Sequence, residues 1–190
     1  MDRPSRVFVL VEDEHHRMLI YRYLRKCRFR FKGDEMRIRQ SPSGRGNAEG
    51  WVRKEFPKEV SAYRDRQASR AGTALIVMID AHSPDPRIVD RRLTQLDQAL
   101  LRSGMQRVGR SEQIARLVPK YNVETWILCL CNEDPVNEEE DYKSKGTDWN
   151  NLIRPAARTL CQWTRSSAEP PNHCVSSLRI GVRELKRLRF

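Results

Sequence analysis

Val7-Phe8-Val9-Leu10-Val11-Glu12-Asp13-Glu14-His15-His16 decides how this chain is to be read. Five apolar residues, three of them Val, are too few for a buried helix and suit a strand covered on both faces of a parallel sheet. The run then stops in three acids and two histidines. From Glu14 to Cys27 the pattern changes, with Leu19, Tyr23 and Leu24 on one side and Arg22, Arg25 and Lys26 opposite, the signature of an amphipathic helix. A second run, Ala74-Leu75-Ile76-Val77-Met78-Ile79-Asp80-Ala81-His82-Ser83-Pro84-Asp85, closes in the same way. Both acid clusters therefore stand where a strand ends.

The remaining segments extend this alternation. Residues 35–40 alternate polar and apolar side chains and predict a half-exposed edge strand. Residues 41–50 are rich in Gly and predict a loop that could offer amides to an anion, although no Gly-Lys-Ser/Thr ending marks a nucleotide loop. A helix is expected from Trp51 to about Ser69, broken or restarted at Pro57. Further expectations are a strand over 73–80, a helix from Pro86 to Ser103 and a strand over 113–118. Asn122 is placed to cap the next helix. An acidic loop over 132–148 and helices over 149–165 and 174–188 complete the chain. This order predicts an α/β fold with a mainly parallel central sheet flanked by helices. Residues 1–131 form the expected core and 132–190 an acidic loop with a C-terminal helical extension packed on it. In such sheets ligands bind beyond the carboxyl ends of the strands.

Composition adds a partner. Among 190 residues, Lys and Arg number 36 against 25 acids, a net charge of +11, which makes nucleic acid the first partner to expect. The five cysteines lack paired zinc-ligand spacing and are read as reduced thiols. No run approaches the ~20 apolar residues a membrane span needs, and no signal-peptide pattern precedes the first strand, so a cytoplasmic protein is expected.

Carboxylates gathered at strand ends repel one another unless a cation sits among them, and oxygen ligands of this kind favour Mg²⁺ or Mn²⁺. Such an ion can activate water and stabilise the charge that develops when a phosphodiester is cut. Glu12 and Asp80 are the first candidates for both metal binding and catalysis, with Asp13 and His82 beside them.

These residues resemble the Toprim domain shared by topoisomerases, primases and overcoming-lysogenization-defect nucleases. In that family a Glu after the first strand and an Asp-x-Asp after a later one bind Mg²⁺. Glu12 and Asp80-Ala81-His82 stand in those places, and the likeness spans residues 5–130. Two positions depart from it: Asp13 replaces the usual Gly, and His82 replaces the second acid. Pro119-Lys120-Tyr121-Asn122-Val123-Glu124-Thr125-Trp126 resembles the Pro-x-x-x-(Ile/Val)-Glu-(Ala/Thr)-Trp element of small Toprim-like proteins. Glu124 is thereby a further catalytic candidate, weighed against a plain helix-start role.

The resemblance implies a metal-dependent nuclease, or nuclease-like effector, working beside an ATPase in bacterial phage defence. The alternative is a catalytically silent subunit docking on that ATPase or on nucleic acid, and self-association stays open. His15 and His16 are read as a solvated helix start, with His82 the better base. Arg45, Arg64, Arg66 and Lys120, with Tyr63, are the expected phosphate contacts. The acidic run from Glu133 to Asp141 lacks calcium-loop spacing and is expected to be solvated or to face a partner.

Overall fold

The computed structural model describes residues 4–29, 35–42, 47–68, 72–133, 136–144, 146–167, 169–171, 174–188 and 190. Four strands, β1 (Arg6–Val11), β2 (Met36–Gln40), β3 (Thr73–Met78) and β4 (Ile114–Leu117), form one sheet in the order β2-β1-β3-β4. Every neighbouring pair is parallel. The helices are α1 (Glu14–Lys26), α2 (Ala48–Ala68), α3 (Ile88–Arg102), α4 (Val123–Leu130), α5 (Trp149–Arg165) and α6 (Ser176–Lys186). The fold is thus α/β, as the alternation of apolar runs and amphipathic stretches predicts.

Strand alternation divides the core into two layers. Val7, Val9 and Val11 of β1, with Ala74, Ile76 and Met78 of β3, face α1, α4, α5 and α6. Leu10, Leu75 and Val77 point the other way, toward Val52, Phe56 and Val60 of α2 and Leu96 and Leu100 of α3. All six residues of β3 are buried, whereas β2, at the sheet edge, is mostly half-buried. α5 lies along α1, where the Cys27 and Cys161 sulfurs meet at 3.1 Å. The helices after residue 131 therefore share the core of β1 and α1.

Pro57 does not break α2, which runs unbroken from Ala48, earlier than expected. A proline inside a helix forfeits one backbone bond and costs about 3 kcal/mol. Burial of Val52, Phe56, Val60 and Tyr63, spaced by about one turn along one face, outweighs that local cost. Of the Gly-rich loop, residues 43–46 lie outside the described part of the chain, and with them Arg45. No helix among the described residues is long and apolar enough to cross a membrane.

Candidate functional site

β1 and β3 pair with Val11 opposite Met78, so the residues that follow them emerge side by side at the carboxyl edge of the sheet. Beyond β3 the backbone keeps its bonds to the β4 side: Ile79 N–H donates to Leu117 O (3.1 Å) and Ala81 N–H to Pro119 O (2.9 Å). Asp80 is held between them with its side chain fully buried. Its amide donates to Glu12 Oε2 at 3.0 Å, which locks the two acids together.

Asp13 caps α1, accepting the His16 amide at 3.1 Å. The same oxygen lies 2.7 Å from His16 Nδ1, while His16 Nε2 lies 2.9 Å from Asp80 Oδ1. One imidazole thus bridges two carboxylates with no exposure to solvent. This overturns the expectation of a solvated helix start. The reason is that His16 points inward from the first turn of α1, between the ends of β1 and β3.

The pattern repeats nearby. His82 Nε2 is 2.9 Å from Glu12 Oε1, and His15 Nδ1 is 2.5 Å from Oε1 of the fully buried Glu124. His82 holds a left-handed backbone, φ 52°, an uncommon conformation for a residue with a side chain. Asn122 caps α4 as the sequence predicts, accepting from Thr125 N–H and so fixing Glu124 in the first turn. Lys143 reaches in from the acidic loop, its Nζ 2.7 Å from Asp13 Oδ2. Four acids, Glu12, Asp13, Asp80 and Glu124, are thereby met by four bases, His15, His16, His82 and Lys143.

That pairing sets the protonation of the site. Burial pushes Asp80 up to about 6 against the pull of the His16 charge. Burial also disfavours a charged His16, yet Asp80 and Asp13 on its two sides hold its proton well above the usual histidine range. Hydrogen bonds to Glu124 and Glu12 raise His15 and His82 respectively. For Asp13 and Glu12, burial works upward but is outweighed, by His16 and Lys143 in one case and by His82 and His16 in the other, so both lie below their ordinary values.

The donor set fits a divalent cation. Ligand atoms from Glu12, His16 and Asp80 lie within 4.8 Å of one another and all three residues are buried. Ligands about 2.2 Å from one ion stand at most about 4.4 Å apart, so the three side chains must draw inward to close on a cation. Asp80 Oδ2 is buried without a hydrogen-bond partner, an uncommon state that a cation among these three residues would relieve. With Asp13 on Nδ1, Nε2 is the nitrogen of His16 that would ligate once its proton and its bond to Asp80 Oδ1 give way to the ion, an arrangement that recurs around metal-bound histidines. An imidazole beside two carboxylates suits Mn²⁺ better than Mg²⁺.

Of the sequence-predicted residues, Glu12 and Asp80 converge; His82 touches Glu12, and Asp13 reaches the group through His16. Glu124 meets His15 instead. Lys120 follows β4 at the same sheet edge, its carbonyl accepting the Ser83 amide. Arg64 and Arg66, near the end of α2, are brought to the opposite edge. There Arg64 holds Glu112 and the carbonyls of Gln106 and Arg107, and Arg66 covers the Phe8 ring at 3.8 Å. The Tyr63 hydroxyl accepts from the Gln113 amide. His16, His15 and Lys143 are the contributors the sequence hid. Only the crowding of three of the four histidines around acid-ended strands hinted at them. Compared with protein-family models, curated proteins and solved structures, the chain matches none.

Proposed function

We propose that this chain is a Toprim-like, metal-dependent hydrolase of nucleic-acid phosphodiesters. The observation that carries the reading is the convergence of Glu12, His16 and Asp80 at the carboxyl edge of a parallel sheet, with one Asp80 oxygen unpartnered. A net charge of +11 supports a polyanionic substrate. When bound, Mn²⁺ or Mg²⁺ would supply an activated water and charge stabilisation at the phosphorus. Glu12, His16 and Asp80 would hold the ion. Asp13 keeps the His16 ring in register, and the Asp80 amide keeps Glu12 turned toward it. His82, 43% exposed and held by Glu12, would give the proton on its ring to a leaving oxygen and recover one from solvent. The setting that goes with the Toprim likeness is a cytoplasmic phage-defence complex with an ATPase.

One observation favours a second reading. Because four bases already neutralise four acids, the site is electrically balanced without a cation, as a silent binding subunit would require. Titration calorimetry with Mn²⁺ on the wild type, Glu12→Gln and Asp80→Asn, beside cleavage of a labelled oligonucleotide, separates the two. The hydrolase predicts metal-dependent cleavage that both substitutions abolish while circular dichroism stays native. A wild type that takes up no divalent ion leaves the silent subunit standing.

A further inference from the structure

We infer that Lys143 is the side chain that receives a phosphate oxygen of the substrate, exchanging the Asp13 carboxylate for it. This rests on the phosphodiester reading of the same site. Among the described residues, Lys143 is the Lys or Arg whose side chain bonds one of the site's acids. Arg92, also close by, is 5% exposed, and its guanidinium is taken up by Glu49, Gln95 and Ala81 O. Lys143 instead remains 48% exposed, so its ammonium can leave Asp13 without unfolding anything. Its Nζ lies 2.7 Å from Asp13 Oδ2, on the carboxylate that also holds His16 Nδ1.

The segment carrying it is built to hold it there. The acidic stretch after residue 132 is largely exposed, as expected, but it is pinned: Glu138 is buried and accepts from Ser176 Oγ (2.6 Å) and the Ser177 amide (3.0 Å) at the start of α6. Tyr142 is buried, and its hydroxyl accepts from the Asn137 amide. Asp141 Oδ1 takes both Asn122 Nδ2, at the cap of α4, and the Lys143 amide. The acids thus fold the strap, and the strap delivers a cation. Lysine suits this task as a compact point charge on a flexible stem, able to move between two oxygens in reach. With a phosphodiester in place, its Nζ would trade one anion for another and steady the phosphate over Glu12, His16 and Asp80. Asp13 would keep its bond to His16 throughout.

The test compares the wild type with Lys143→Gln and Lys143→Arg, measuring binding of a short single-stranded DNA oligonucleotide over a salt series and, separately, of Mn²⁺. Lys143→Gln should weaken oligonucleotide binding about tenfold or more. It should also lower the salt dependence by about one phosphate contact. Mn²⁺ affinity should be unchanged or tighter, since a competing charge is gone, and Lys143→Arg should recover part of the loss. Unaltered oligonucleotide binding in Lys143→Gln overturns the inference. So does a loss with no change in salt slope, or a wild type that binds no oligonucleotide. A wild type that binds the oligonucleotide but no Mn²⁺ sinks the metal reading instead, and the same salt series still decides Lys143.

Discussion

His16 Nε2 lies 2.9 Å from Asp80 Oδ1, and both side chains are fully buried. Truncating His16 to Ala leaves Asp80 and Asp13 facing each other across a dry gap. Breaking one side of a buried ion pair costs about 3–5 kcal/mol. We expect His16→Ala to lose stability on that order near neutral pH in urea unfolding. The loss should shrink in acid, where Asp80, pushed up to about 6 even beside the His16 charge and higher without it, takes a proton for itself. Equal destabilisation at pH 5 and pH 8 would count against the pairing.

Asp13 does two jobs that a single substitution separates. Asn is as good a helix cap as Asp, so Asp13→Asn keeps α1 started. It removes the negative charge from His16 Nδ1 and from Lys143. Metal affinity should fall about 10–100-fold while helix content stays unchanged. Calorimetry with Mn²⁺ beside far-ultraviolet circular dichroism reads both quantities.

Stability without metal should peak in mild acid. His15, His16 and His82 all have raised values in the folded chain, so their stabilisation is complete below about pH 6.5, the unfolded value, and is lost as pH climbs through the folded ones. Asp80 has the same sign, declining between about 3.9 and its folded value of about 6. Asp13 and Glu12 run the other way, contributing above about pH 4 and failing only below it. Urea midpoints should therefore be higher at pH 5.5 than at pH 9, with Mn²⁺ narrowing the gap. A flat profile would contradict the protonated bridge.

Gly181 is the place where α6 meets Trp126. A Cβ there would meet the ring, with Cζ3 at 2.8 Å and Cη2 closer still. The ring cannot yield easily, because Trp126 Nε1 donates to Ser177 Oγ at 2.7 Å. Gly181→Ala should destabilise by about 1–3 kcal/mol, despite the gain of up to about 1 kcal/mol that Ala brings to a helix. Thermal unfolding of the variant should show a midpoint lowered by several degrees.

Most of the fold was legible because its signals are local. The Val-rich run of β1, the unbroken apolar stretch of β3 and the cap at Asn122 each announce themselves within a few residues. Pro57 misled, since the cost of a proline is local while its remedy, the buried face of α2, is not. At the site, Glu12 and Asp80 were visible as acids at strand ends. His16 was not, because its burial needs Asp13 and Asp80, one of them 64 positions away, to be in place together. Lys143 was hidden more deeply, as a cation inside a stretch whose composition is acidic.

The centre draws on the ends of β1 and β3, the starts of α1 and α4, and a strap ending at Lys143, while α5 lies behind α1. A chain emerging from the ribosome carries Glu12, His16 and Asp80 long before Lys143 and α5 have been synthesised. Nascent copies therefore lack a finished centre until the strap and α5 have been added.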